Sequence, residues 1–531
     1  MFPLMRYASR ALVVAAAVAA SAACSTARTT PRLPAAALER ATPGDPGLPL
    51  SGHYIATIKA PLLGEVRGRI TAAPYGDGMF ATTRPGVAWD MIGGLKGLFG
   101  SMFVGSLFPD GAILTWTSGL PKDGRPGAGL LGPGDKNSQV RTRVTSATGP
   151  IELATRDGRP VATMTLRPAE PGEGPLADYR ALADGVERAM AARLYDASLP
   201  RSGQVRGFVR MLRSNAGAAR DDIEFIFGAV VAAREHITFA MPLVFKRVDP
   251  DWRNQLASLG DSGLATLSVS YDEPSGIAVL KAEAFLDAAE VDRAFEKVLS
   301  HNPRGVLLDL RGCPGVTLAS LRLASWVVEE PVDAGTFFGP TMRTAAAKGR
   351  LGEFPRLAID SAESVERLEK HLDEGGGARV IVEPEAGRYT GPVAVLTTKR
   401  TTTSTESLIW TLRAAAGGPP EPPWGGGDAA PPNQRIRVFG QPTAGRPTVS
   451  RPVDIGQGWV AWVPALDYLP PARFAGARTE RGARPDFEDP SKERCKQEAR
   501  KWLAEKAAAT AQDNPATSAP SAARSASPPP S

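Results

Sequence analysis

GVLLDLRG, residues Gly305 to Gly312, is the stretch that decides the fold. Val306, Leu307 and Leu308 run on without a polar partner between them, as a strand covered on both faces requires. Asp309, Arg311 and Gly312 then break the run with charge and a turn residue. Upstream, Ile277 to Leu280 is a second apolar strand. Asp287 opens a helix between the two, with Glu290 three residues on, and Val291, Phe295 and Val298 form its inner stripe. Downstream come a helix from about Leu318, a strand at Val393 to Leu396, a helix from about Thr405 to Ala415 and a short strand at Arg437 to Phe439. Strands alternating with helices predict an α/β domain with a largely parallel sheet over residues 265–490.

The flanks read differently. In residues 176–245 the apolar positions Leu176, Tyr179, Val186, Met190 and Leu194, then Ile223, Phe227 and Val230, fall near helical spacing, and Ser202 and Asp221 are expected N-caps. Residues 51–168 hold short β-branched and aromatic runs broken by Gly, Pro and Asp. They predict a separate β-rich N-terminal domain, antiparallel, as a sandwich or a barrel. Residues 507–531 lack an aliphatic or aromatic anchor and are expected to be a disordered tail.

A chain of 531 residues with 43% hydrophobic residues has material for two to four domains of about 100–200 residues each. Its net charge of +6, from 62 basic and 56 acidic residues, gives no basis for nucleic-acid binding. Three cysteines make no disulfide framework and no zinc-ligand pair, and four histidines are too few for a multi-histidine metal centre. No cofactor and no metal is expected.

The N-terminus carries Arg6 and Arg10, the apolar run Ala11 to Ala20, and the small residues Ser21, Ala22 and Ala23. This is the pattern of a signal peptide over residues 1–23. Ser21-Ala22-Ala23-Cys24 resembles a bacterial lipobox, with Ser21 where leucine is usual. The resemblance implies a lipid on Cys24, a linker over residues 24–50, and a lipoprotein facing the periplasm. Ser25 favours the outer membrane. In that compartment Cys313 and Cys495 are free to pair if the fold brings them together.

Three segments of the α/β region resemble the C-terminal processing peptidases, or tail-specific proteases. Asp309-Leu310-Arg311-Gly312-Cys313-Pro314-Gly315-Val316 is similar to that family's D-L-R-x-N-x-G-G. Leu396 to Glu406 is similar to the strand-to-helix turn bearing the nucleophile, S-x-x-E. Val438-Phe439-Gly440-Gln441-Pro442-Thr443-Ala444-Gly445-Arg446 is similar to V-G-E-P-T-x-G-K. Arg484-Pro485-Asp486-Phe487 is placed like the step that ends the family's core, and no segment resembles its PDZ insert. The resemblance implies a Clp-protease/crotonase-like core with a helical N-terminal unit, polypeptide substrates, and proteolysis by acyl transfer from a serine-type site.

At that site the family's serine position is held by Thr403, with Ser404 adjacent. Either hydroxyl is a candidate nucleophile, or both simply cap the helix. Gly315 and the Ser404 amide are the expected oxyanion donors, although Val316 stands where the family has a second glycine. Arg446 takes the lysine position. A guanidinium does not give up its proton, so it cannot be a general base. It is suited instead to a carboxylate or to a structural ion pair. His236 and Lys399 remain as candidate bases. Two functions follow: a serine-type peptidase with an unorthodox base, or an inactive peptidase fold that binds peptides or envelope proteins. Mass spectrometry of the mature N-terminus checks the anchor. A lipidated Cys24 is the expected outcome, and an unmodified residue after Ala23 contradicts it.

Overall fold

The computed structural model describes residues 52–60, 64–74, 79–83, 103–107, 112–116, 140–143, 151–154, 160–238, 243–246, 266–417, 435–474 and 481–513. The expected signal peptide, Cys24, the 24–50 linker, Trp424 with its Gly/Pro-rich run, and residues 514–531 lie outside them.

Eight antiparallel strands close into a barrel: β1 (Gly52–Ala60), β2 (Gly64–Pro74), β3 (Met79–Thr83), β4 (Phe103–Leu107), β5 (Ala112–Trp116), β6 (Val140–Arg143), β7 (Ile151–Ala154) and β8 (Pro160–Pro168). Closure comes from β1 pairing with both β2 and β8, with Tyr54 opposite Pro168 and Lys59 opposite Thr163. Of the two expected architectures it is the barrel.

Between β2 and β3 the register covers only Thr71 to Pro74 on the β2 side. The earlier part of β2 is paired instead by two carboxylates. Arg67 N–H donates to Asp222 Oδ2 and Arg69 N–H to Asp221 Oδ2, each at 2.8 Å. The Arg67 guanidinium reaches the Leu176 carbonyl at 2.6 Å, and Tyr179 Oη donates to Asp222 Oδ1 at 2.7 Å. The start of the third helix thus hydrogen-bonds β2 and ties the barrel to the helical unit.

The helical unit consists of Tyr179–Arg193, Gly203–Ala218 and Asp222–His236. Ser202 and Asp221 cap the second and third, accepting from Val205 N–H and Glu224 N–H. The expected unit ends early, because Leu243–Lys246 is a strand, β9. Its leucine, valine and phenylalanine suit a pleated partner better than a helix end.

The central sheet has the order β10 (Leu267–Asp272), β11 (Ile277–Ala282), β12 (Gly305–Asp309), β17 (Val393–Thr397), β19 (Ile436–Gly440), β22 (Phe487–Glu488). All neighbours from β11 onward are parallel, and β10 joins antiparallel at the edge. The side chains alternate between two cores. Val306, Leu308, Val393, Val395 and Val438 face a cluster with the helices Ala288–Leu299, Ala319–Ser325 and Ser404–Ala415. Leu307, Ala394, Leu396 and Phe439 face Cys495, Ala499, Trp502 and Leu503 of a C-terminal helix, Lys492–Asp513. That helix corrects two expectations. The domain does not finish at residue 490, and residues 507–513 of the expected tail are helical. Their alanines carry the highest helix propensity and extend a helix already anchored on the sheet.

Asp287 accepts from the N–H groups of Ala289 and Glu290, but the Glu290 carboxylate does not complete a capping box. It turns to Thr266 and Leu267 and pins the start of β10. A second sheet, β15 (Arg356–Ile359), β16 (Gly377–Val382), β14 (Val332–Phe338), β21 (Trp459–Leu469), β20 (Val449–Gly456), with β9 on β21, packs alongside. Its residues Ile455, Trp459, Ala461 and Val463 join the helical unit's core.

Asp222 is fully buried, so removing its carboxylate strands the Arg67 amide and the Tyr179 hydroxyl. Asp222→Ala should cost about 3 kcal/mol of unfolding free energy in urea. Tyr179→Phe, which removes one hydrogen bond, should cost about 1 kcal/mol.

Candidate active site

Three loops meet at the C-terminal ends of β12, β17 and β19. They are the three segments singled out in the sequence. Two of them pair as short parallel strands, β13 (Pro314–Gly315) with β18 (Thr402–Thr403), with Gly315 opposite Thr403. The third comes in from the other side: Thr403 N–H donates to the Arg446 carbonyl at 3.0 Å, and Ala444 N–H to the Thr401 carbonyl at 2.9 Å. Thr401, fully buried, links all three by donating to the Leu310 carbonyl at 2.9 Å.

Thr403 is the residue before the helix Ser404–Ala415, at φ 56° and ψ −136°. A β-branched residue at positive φ stores roughly 1–3 kcal/mol of strain and needs surroundings that over-determine it. Its half-buried hydroxyl has two carbonyl oxygens within reach of its single proton, those of Thr402 at 2.8 Å and of Gly315. Thr403, Gly315 and Arg446 are thus brought together as the motifs imply.

Ser404 does not share that position. It is fully buried, and its hydroxyl donates to the Thr317 carbonyl at 2.5 Å. One residue into the helix, the side chain points into the protein instead of the turn's mouth. In this arrangement the Ser404 hydroxyl faces the packed interior and not the turn where Thr403 stands. Gly315 is required by this packing: a Cβ there would lie 1.9 Å from Ser404 Oγ and 2.4 Å from the Thr405 amide.

The candidate bases are not at Thr403. His236 lies against the second helix of the helical unit, where a Cβ on Gly207 would come within 2.7 Å of its Nδ1. Its place at the end of a helix in another layer keeps it there. The chain's other three histidines are also placed elsewhere. His53 is on β1, His301 stacks on Tyr271 with ring centroids 4.8 Å apart, and His371 Nε2 is 3.2 Å from the Gly377 carbonyl. Lys399 is exposed in the turn before Thr401, and the Arg446 side chain is exposed at the mouth. Among the described residues, no titratable nitrogen hydrogen-bonds the Thr403 hydroxyl.

The oxyanion side is occupied as well. Thr402 N–H donates to the Cys313 carbonyl at 3.3 Å. The parallel register that follows directs the Gly315 N–H at the Thr402 carbonyl. Cys313 itself is fully buried and its thiol is pushed up to about 12 by burial. It sits in the helix-covered core and Cys495 in the other, so the two do not bridge. Among the described residues no group of His, Cys, Asp and Glu is arranged to hold a metal ion, and no helix is long and apolar enough to cross a membrane.

The residue sequence reasoning undervalued is Glu406. It is fully buried and grips the third loop. Oε1 accepts from Arg446 N–H at 2.9 Å, and Oε2 from Gly445 N–H at 3.1 Å and Thr443 Oγ1 at 3.0 Å. Thr443 in turn accepts from Ala483 N–H at 2.7 Å. Burial pushes the Glu406 carboxyl up to about 8, against the opposing pull of those donors. Between its ordinary value of 4.5 and about 8 the folded chain holds a proton that the unfolded chain has released. Its contribution to stability is therefore full at low pH and is lost as pH rises through that window. Urea midpoints measured from pH 5 to 8 should show this decline superimposed on other titrations. In Glu406→Gln, which keeps the shape without the titration, the decline should be shallower.

No protein-family model matches the chain, and no curated protein matches it. In structure the chain is similar, at low identity, to C-terminal processing peptidases. The photosystem II D1 C-terminal processing protease is 14% identical with a TM-score of 0.32, over 63% of this chain and 99% of that one. Mature CPAF complexed with lactacystin is 12% identical with a TM-score of 0.29, over 87% of this chain and 85% of that one. A lipoprotein from Streptococcus agalactiae is 12% identical with a TM-score of 0.36, over 64% of this chain and 99% of that one.

Proposed function

We propose that this chain is a polypeptide-binding protein of the cell envelope, tethered through a lipid on Cys24. Its core is a Clp-protease/crotonase-like, tail-specific-protease-type fold that does not cleave what it binds. One observation carries the reading. The half-buried Thr403 hydroxyl at the helix mouth and the adjacent Gly315 amide are both turned to the chain's own carbonyl groups. Acyl transfer to a bound peptide needs a base on the hydroxyl and a free donor for the oxyanion. Arg446 supplies no base, and its exposed guanidinium is suited to a peptide carboxylate.

The strained φ of Thr403 favours a second reading, a serine-type peptidase with Thr403 as nucleophile. Freshly purified intact chain, treated with a fluorophosphonate probe and with unstructured polypeptides, separates the two. The binding reading expects no label, no cleavage, and polypeptide binding that weakens in Arg446→Ala. Labelling and cleavage that vanish in Thr403→Ala establish the peptidase instead.

A further inference from the structure

The Thr402–Thr403 peptide bond is surrounded by the parts of an acyl-transfer site. At the usual negative φ, Cβ lies opposite the preceding carbonyl carbon, and a side-chain hydroxyl cannot reach back to it. At φ 56° Cβ swings gauche to that carbon. The Thr403 hydroxyl accordingly lies 2.8 Å from the Thr402 carbonyl oxygen. The same oxygen faces the Gly315 N–H across the β13–β18 register. Gly315 is locked in that place by the absence of room for a Cβ. The Thr403 amide is held by the Arg446 carbonyl at 3.0 Å, and that loop by buried Glu406. Nucleophile, hydrogen-bonded carbonyl and strained φ belong to consecutive residues of one chain.

We propose that this chain cleaves itself between Thr402 and Thr403. Thr403 Oγ1 attacks the Thr402 carbonyl carbon while the Gly315 N–H stabilises the developing charge on its oxygen. The carbon–nitrogen bond breaks, the hydroxyl proton passes to the departing nitrogen, and an ester joins the Thr402 acyl group to Thr403 Oγ1. Solvent water then hydrolyses the ester, leaving a carboxylate on Thr402 and a free α-amine on Thr403. No oxidant, metal or outside reductant is involved. Release of the strained φ favours the forward step. The new α-amine, with an ordinary pKa of about 7.7–8.0, stands beside the hydroxyl where no side chain provides a base. The two fragments stay together in the folded state, because β19, after the cut, pairs with β17, before it, and β21, also after the cut, pairs with both β14 and β9.

The full chain is held at neutral pH and its mass is read under denaturing conditions, with and without hydroxylamine, which captures esters. A fragment beginning at residue 403 is expected, in higher yield with hydroxylamine. It should disappear in Thr403→Val, which keeps the shape without the hydroxyl, and persist in Thr403→Ser. Circular dichroism checks that each variant folds. If Thr403→Val does not fold, the Thr403→Ser product and hydroxylamine capture at residue 402 decide. Full-length mass alone under every condition overturns the proposal, as does the same fragment from folded Thr403→Val. Cleavage of added polypeptide is scored separately, so failure of the binding reading leaves this result unaffected.

Discussion

The contact between the Gly315 backbone and the first turn of the helix Ser404–Ala415 governs the geometry around it. With no Cβ in the way, β13 and β18 pair directly, and Thr403 is forced to turn back on itself before the helix begins. The positive φ follows from having a strand partner on one side and the Arg446 carbonyl on the other. Glu406, one turn further on, fixes that second side by gathering two amides and a hydroxyl. A carboxyl buried among such donors is a costly device unless they are held in place. Here the helix holds the carboxyl and Ala483 steadies Thr443.

Much of the α/β core was legible because it obeys simple periods. Continuous apolar runs gave β12 and β17, and a helical stripe gave the helix Ala288–Leu299. The N-caps at Ser202, Asp221 and Asp287 sit where short side-chain acceptors precede a helix. The C-terminal helix is hard to read locally although Cys495, Ala499, Trp502 and Leu503 repeat at helical spacing. Four apolar positions in a charged segment are a weak stripe, and its meaning depends on a sheet face that needs covering. The second sheet is illegible for a related reason: β14, β16 and β21 derive their pairing from distant partners, which local pattern does not register.

At the site, motif spacing correctly grouped Thr403, Gly315 and Arg446. It could not rank Thr403 against Ser404, because a single residue's advance into a helix decides whether a hydroxyl faces the mouth or the core. Nor could it dismiss His236, since the layer in which a helix packs is a tertiary fact. The role of Asp221 and Asp222 was half legible. Their position predicted a cap, and the fold gives them a second task as partners for a barrel strand.

The C-terminal helix has a consequence for the order of events in folding. Leu503 and Trp502 complete a core whose other members include Ile277, Leu307, Ala394 and Phe439. That face of the sheet stays uncovered until the segment Lys492–Asp513, far along the chain from β11 and β12, has been made. Closure across such a sequence separation slows folding and leaves the apolar strand face bare in the meantime.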